Sequence, residues 1–429
     1  MPAVLSDRSP VTTRQFLGSY VRRVAPLLVF VATAFYLWWT FGNRLVIGTN
    51  DEGIYLDAAE RILHGQKPYV DFFGVVTPGS FWVQVLAFRL LGLTQAAGRI
   101  PVIFYLALEC ALIYWLVERY ASQAAAIVTT LFFLAFQTAD PAMVTAQHRW
   151  DSGALALASI AICVASQKKW LIASGFLVAC AALATPSVAL VALVTVVWLR
   201  TRAAWYLLGL SLGMTVAGLA LWLDGILPAF FGQLGWLSRN YAAVNVMHYG
   251  AIIGGYRALF EGARAWELPI RACVVLCIAL PAVLPVVALV GGTALCARHE
   301  GRHLLYLLLC VLALVVSTFP RSDIAHLAYV AALPYAVAGI VLYHWISVRP
   351  RAWLTKSPPL CCKQSKNTSD FRRQPDNSRS DPLRFGRWPK PALSRNAHFN
   401  CVVEVTRHLP PVIHPGIVLR HGSHCVSTH

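Results

Sequence analysis

Read for hydropathy alone, the chain alternates long apolar runs with short polar breaks, and the runs fall in the first 346 residues. A helix of about 20 apolar residues crosses a hydrocarbon layer of about 30 Å. The pattern therefore predicts ten spans, near residues 24–42, 100–118, 121–139, 153–167, 170–184, 186–199, 204–223, 272–295, 304–319 and 327–346. The stretch 170–199 is long enough to read as one helix. "ATPSVA" divides it, because Pro186 suits the first turn of a new helix and not an interior.

Two amphipathic patterns stand apart. "IYLDAAERILH" (54–64) sets Tyr55, Ala58, Ala59 and Ile62 at helical spacing, opposite Asp57, Glu60, Arg61 and His64. "SFWVQVLAFRLLGL" (80–93) is apolar, but at roughly 21 Å it is too short to cross and is predicted to lie along the interface. The expected fold class is thus an all-α polytopic membrane protein of about ten transmembrane helices, with amphipathic juxtamembrane helices in the first loop.

Charge gives the spans a direction. Arg14, Arg22 and Arg23 precede the first span and place the N-terminus in the cytosol by the positive-inside rule. Arg119, Lys168, Lys169, Arg200, Arg202, Arg298, Arg302, Arg349 and Arg351 then fall inside, and segments 43–99, 140–152, 224–271 and 320–326 fall outside. Those four outer segments hold eleven of the 19 acidic residues: Asp51, Glu52, Asp57, Glu60, Asp71, Asp140, Asp151, Asp224, Glu261, Glu267 and Asp323. The predicted organisation is a cytosolic segment 1–23, a membrane domain 24–346 and a tail 347–429, the whole in the cytoplasmic (inner) membrane with its chemistry facing the exterior.

Composition agrees with a bilayer. The chain is 57% hydrophobic and 13% charged, with a mean hydropathy of +0.59, where a soluble domain carries about 25% charged residues. The net charge of +17 suggests nucleic acid until its distribution is examined: residues 349–429 hold 14 Lys/Arg and 4 Asp/Glu, so +10 of it sits in the tail. No nucleic-acid partner is expected. The tail has no periodicity and reads either as disordered or as the product of a reading-frame shift after about residue 356. Seven of the 11 cysteines lie in spans or at a cytosolic edge and four in the tail, which suggests neither a disulfide framework nor a zinc site.

The acidic loops carry the candidate chemistry. Asp51 and Glu52 open the amphipathic helix in "TNDEG", where a carboxylate caps the helix and where it also stays ionised, as a base must. Lys67, Tyr69 and Asp71 follow in the same loop. "AQHRWDSG" sets His148, Arg149 and Asp151 at the mouth of a span, with Trp150 expected as an interfacial anchor. "FPRSDIAH" sets Arg321, Asp323 and His326 in a turn that also suits a plain Arg–Asp pair. Loop 224–271 holds aromatic, amide and guanidinium groups, Arg257 among them, which suit a sugar or lipid phosphate or an ordinary interfacial loop. Glu109 is the one acid placed at membrane depth, a functional candidate by position.

"DEGIYLDAAERILHGQKPYVDFF", "GLTQAAGRIPVIF" and "HRWD" resemble, in order, motifs of the C-type (GT-C) membrane glycosyltransferases, in the bacterial branch related to protein O-mannosyltransferases and lipid A aminoarabinose transferases. The resemblance covers roughly residues 20–200, with "PRSDIAHLAYVAALP" a looser echo. It implies a sugar carried on polyprenyl phosphate, a hydroxyl acceptor, Asp51 as catalytic base and Asp151 as its acceptor-side or metal-side partner. Two lysines common in that family are absent where this chain reads "VVTPGS" and "ATPSVA", so Arg149, Arg321, Lys67 and Arg257 become the candidates for the donor phosphate. Tyr55, His148, Tyr69, Asp71 and His326 become those for substrate. Relatives continue with further spans, which fits a shortened C-terminus. No cofactor is certain; a divalent metal, Mg or Mn, is left open, with Asp51 and Asp151 as its ligands. Oligomeric state is not legible. The competing class is a transporter or lipid flippase without catalytic chemistry; an inert scaffold in envelope assembly is a third.

Overall fold

The computed structural model describes residues 13–42, 51–74, 76–139, 141–165, 168–251, 255–297 and 301–354. The tail beyond 354, on which the disorder and frame-shift readings rest, lies outside the described residues. Two compact units divide at Pro359, and every described residue belongs to the first.

Helix α1 (Thr13–Leu37) ends in a π-turn over Trp38–Gly42. The first loop then folds into α2 (Asp51–Leu63) and α3 (Pro78–Leu91), the two expected juxtamembrane helices. Helices α4 (Gln95–Tyr120) and α5 (Gln123–Gln137) follow, both N-capped by hydroxyls: Thr94 accepts from Ala97 N and Ser122 from Ala125 N. Next come α6 (His148–Ala165), α7 (Trp170–Ala184), α8 (Leu190–Leu199) and α9 (Ala203–Leu223). Helices α10 (Leu227–Asn245), α11 (Leu268–Cys296), α12 (Arg302–Val316), α13 (Ile324–Ala328) and α14 (Ala332–Leu354) complete the order. Among the described residues there is no strand, only two isolated bridges.

The break at Pro186 is real. A 3-10 turn, Pro186–Ala189, separates α7 from α8. Gly175 packs on Tyr206 and Leu210, Gly209 on Ile172, and Gly213 on Ala179, so residue numbers rise together along both helices and α7 and α9 run parallel. Helix α8 must therefore return between them. These glycines let two backbones meet without side chains, the usual means of joining helices where lipid removes the hydrophobic drive. Ser174 Oγ adds a hydrogen bond to Ser159 O on α6 at 2.9 Å.

Two expectations need correction. The segment 224–271 is not a plain loop, since 19 of its residues form α10. The last span does not begin at 327: α13 occupies 324–328 and α14 starts at Ala332, then continues past 346 to Leu354. In α10 polar residues (Gln233, Arg239 and Asn240) interrupt the apolar pattern without ending the helix, whereas Asp323 caps the short α13, which stops at Ala328 before α14 begins.

The two ends of the bundle differ in charge. Arg22, Glu118, Arg119, Arg302, His303 and His344 gather at one end, where His344 Nε2 meets Tyr120 O at 2.9 Å and Arg302 covers the Trp198 ring. At the other, Thr77 donates to Ala184 O, Ser187 to Ser317 O, and Gln137 to Ala328 O. The second end holds Glu52, Asp151 and Asp323. The first is the basic end and the second, where these carboxylates gather, the acidic end.

Candidate functional site

At the acidic end, α2 is held by an ion pair that the sequence pattern does not reveal. Arg99, 1% exposed, lies near the start of α4; its Nε and Nη2 donate to Glu52 Oε1 and Oε2 at 2.9 and 3.0 Å. Gln95 Nε2 donates to the same Oε2 at 3.0 Å, and Arg99 Nη1 donates to Phe41 O at 2.9 Å. A guanidinium fork fits a carboxylate in this bidentate way, and burial without such pairing is costly. Arg99 thereby fixes the end of the first span and the start of α2 with one side chain. Asp51 is the first residue of α2; its side chain, like that of His148, lies outside the described residues.

Tyr55, one turn further along α2, is buried and lines a cavity of about 10 Å³ with Ser80, Gln84, Tyr105, Gln147 and Asp151. That is room for about one water molecule. Asp151 stands in the first turn of α6, before the apolar run of the span, and is buried. Its Oδ2 accepts from Ser80 Oγ at 2.6 Å and its Oδ1 from Ser152 N at 2.7 Å. Burial raises its pKa to about 7, against the lowering effect of those two hydrogen bonds. Asp151 therefore ties α3 to α6.

Arg149, in the same first turn of α6, is 9% exposed, and its Nε and Nη1 find no hydrogen-bond partner. Burial lowers its pKa, opposed by Tyr241, Tyr329, Tyr55 and Asp323 around it. A buried guanidinium with unfilled donors is unstable alone and suits an incoming anion. Trp150 between them is fully buried rather than interfacial: its Nε1 donates to Met143 O at 2.8 Å and its ring meets Tyr329 edge-on.

The 320–329 turn closes the other side. Asp323 caps α13 by accepting from His326 N, and its Oδ1 lies 2.8 Å from His326 Nδ1. Arg321 Nε reaches its Oδ2 at 3.3 Å, the Arg–Asp pair expected of a plain turn. Burial would raise the Asp323 pKa; hydrogen bonds and charge from His326, then the Arg321 charge, hold it below the usual value. Burial lowers that of His326, and the nearby Arg149 charge lowers it further, against the raising hydrogen bond to Asp323.

The predicted residues thus divide. Tyr55, Arg149, Asp151, Arg321 and His326 gather within one end of α6 and its neighbours. Lys67 and Asp71 are exposed and build a turn, with Lys67 N donating to Asp71 Oδ2 at 2.6 Å. Tyr69, at φ 67°, donates its hydroxyl to Val76 O and packs on Phe230 of α10. Arg257 is exposed on the 3-10 turn Tyr256–Phe260. Helix α10 covers this segment: Trp236 meets Phe73 edge-on, and Gln233 donates to Gly74 O. The chain after α10 is pinned to the 320–329 turn through Met247 N to Pro320 O and Gly250 N to Ser322 O.

Arg99, Ser80, Tyr105 and Tyr329 were not anticipated as site residues, whereas Tyr241 was among the aromatic residues of segment 224–271 that suit a sugar or lipid phosphate. Arg99 had a signal, a lone charge at the head of an apolar run; Ser80, Tyr105 and Tyr329 had none. Among the described residues no three His, Cys, Asp or Glu side chains gather as a metal site.

No family model matches the chain, and no curated protein matches it. Among solved structures, ArnT from Cupriavidus metallidurans bound to undecaprenyl phosphate matches with a TM-score of 0.52 at 19% identity, over 77% of this chain and 62% of that one. ArnT in the apo state gives 0.47 at 20% identity, over 78% and 62%. The archaeal oligosaccharyltransferase AglB from Archaeoglobus fulgidus gives 0.45 at 11%, over 81% and 53%. The chain spans about three fifths of the length of ArnT. Its helices, with α2 and α3 inserted between α1 and α4, have the fold of that ArnT structure, the GT-C type.

Proposed function

We propose that this chain is a membrane glycosyltransferase that moves a sugar from a polyprenyl-phosphate donor to a hydroxyl acceptor, at the outer face of the cytoplasmic membrane and with inversion. The observation that carries this reading is Arg149, buried with two donor groups unfilled beside Arg321, Asp323 and His326. Undecaprenyl phosphate bound to ArnT, on a similar fold, supports a lipid phosphate as the anion.

A phosphate leaving group departs without protonation, so positive charge near it replaces a general acid. Arg149 supplies that charge from the buried side and Arg321 from the turn, with Lys67 and Arg257 on the flanking loops as outer contacts. A base then removes the acceptor's hydroxyl proton as its oxygen attacks the anomeric carbon. Asp51 takes that role at the start of α2. Glu52 is committed to Arg99 and fixes the helix that presents Asp51, while Asp151 holds the platform through Ser80. Tyr55, Tyr69, Asp71, His148 and His326 are assigned to sugar and acceptor in this reading.

A second reading, a carrier that moves the lipid without chemistry, draws on Glu109. This carboxylate is fully buried within α4, and neither oxygen has a hydrogen-bond partner. Purified protein in lipid with a radiolabelled polyprenyl-phosphate sugar and hydroxyl acceptors separates the two. Labelled product with released lipid phosphate supports the transferase; translocation of intact donor supports the carrier.

A further inference from the structure

A second site lies at the basic end, away from the residues above. Between α1 and α4 is a cavity of about 450 Å³ lined by Arg22, Arg23, Pro26, Trp115, Glu118 and Arg119. Three guanidiniums and one carboxylate meet here where two apolar spans begin and end. The protein itself uses these charges only in part, Arg119 meeting the Tyr120 side chain. Arg22 Nε is 3.9 Å from Glu118 Oε1, and the Arg22 side chain is 77% exposed, so that pair contributes little. Arg119 lies over the Trp115 ring at 5.4 Å. Glu118 is the reverse: its Oε1 is buried and accepts no hydrogen bond. A buried carboxylate oxygen left empty asks for a donor, and three guanidiniums around it ask for an anion.

One class of molecule supplies both in one headgroup and occurs at this depth. We propose that the cavity binds a glycerophospholipid of the phosphatidylethanolamine type, its phosphate on Arg22, Arg23 and Arg119 and its ammonium on Glu118. The acyl chains continue along the exposed apolar face of α1, where Leu27, Leu28 and Val31 are 61%, 60% and 55% exposed. A basic pocket between helices at the headgroup level binds lipid phosphate by general electrostatics, at about 1 kcal/mol, or fivefold, per guanidinium. Glu118 adds selectivity, because a choline headgroup has the phosphate but no N–H to donate.

The test is native mass spectrometry of the delipidated full-length protein, titrated separately with phosphatidylethanolamine, phosphatidylcholine and phosphatidylglycerol, then with inorganic phosphate as competitor. The expected result is preferential retention of phosphatidylethanolamine. The R22Q/R23Q/R119Q variant loses it by more than about tenfold, and E118Q reduces the preference over phosphatidylcholine to near equality. R200Q/R202Q, which alters the same end outside the cavity, leaves retention unchanged. Equal retention of phosphatidylethanolamine and phosphatidylcholine by the wild type overturns the proposal. So does retention of phosphatidylglycerol alone, which makes this a plain anion site, or displacement of the lipid by inorganic phosphate. If the triple variant does not fold, E118Q alone decides, since it leaves the guanidiniums in place.

Discussion

Arg99 grips Glu52 through two hydrogen bonds of 2.9 and 3.0 Å, joining residues 47 positions apart. Both side chains are nearly excluded from solvent, at 1% and 12% exposure. Removing one partner of such a pair leaves an unpaired buried charge and typically costs about 3–5 kcal/mol. Glu52→Gln and Arg99→Gln are each expected to lower the melting temperature in detergent markedly, with the double variant recovering part of the loss. A double variant no better than the sum of the singles would mean that the pair is not coupled.

Arg149 predicts opposite effects on stability and on binding. Its empty donors cost free energy in the ligand-free protein, so Arg149→Met is expected to stabilise that form by about 1–3 kcal/mol. The same change removes the group that the proposed function assigns to the donor phosphate. Undecaprenyl phosphate should therefore raise the melting temperature of the wild type and leave that of the variant nearly unmoved. Thermal unfolding with and without the lipid reads both effects at once.

Asp151 gives a pH signature. Its folded pKa, about 7, lies above the ordinary 3.8, so the native state holds this proton more tightly than the unfolded chain. The stability it contributes is fully present below the unfolded pKa and is lost as pH rises through about 7. Asp151→Asn removes that loss. The variant is expected to melt above the wild type at about pH 8, with the gap narrowing as pH falls below 7 and closing near the unfolded value. A gap that widens on acidification would show that the ionised carboxylate is the favoured form.

Gly175 and Gly209 test the helix arrangement. A methyl group on either would strike a backbone carbonyl of the partner helix, Tyr206 O or Ile172 O. Alanine at one position is expected to destabilise the bundle by about 1–3 kcal/mol or more, since backbone cannot yield as a side chain does. At Gly218, where a methyl meets nothing, alanine should be near neutral. Melting temperatures of the three variants check the contrast.

The fold was legible because a bilayer enforces long apolar helices, which leave a hydropathy pattern in the sequence. Pro186 divided α7 from α8 in sequence because proline cannot donate within a helix, and the structure breaks there. Helix α10 escaped notice because its apolar residues pack on Tyr69 and Phe73 of a distant loop, while its polar ones mimic a loop. At the site, Arg149, Arg321 and His326 were visible as charges in outer turns. Glu52 was visible too, but not its commitment to Arg99, because a long-range ion pair leaves no local pattern. The same holds for Ser80 on Asp151. Lys67 and Asp71 were visible as charges in the first loop, but not the turn they build, in which Lys67 N donates to the Asp71 carboxylate.

In the proposed transfer, Asp51 removes the acceptor proton while Arg149 holds the donor phosphate. Its most direct measurement is sugar transfer by Asp51→Asn in reconstituted membranes, alongside binding of undecaprenyl phosphate by the same protein. Transfer should fall by at least about a hundredfold, the usual contribution of a general base, with lipid binding unchanged. Full transfer by a properly folded Asp51→Asn protein would contradict the account.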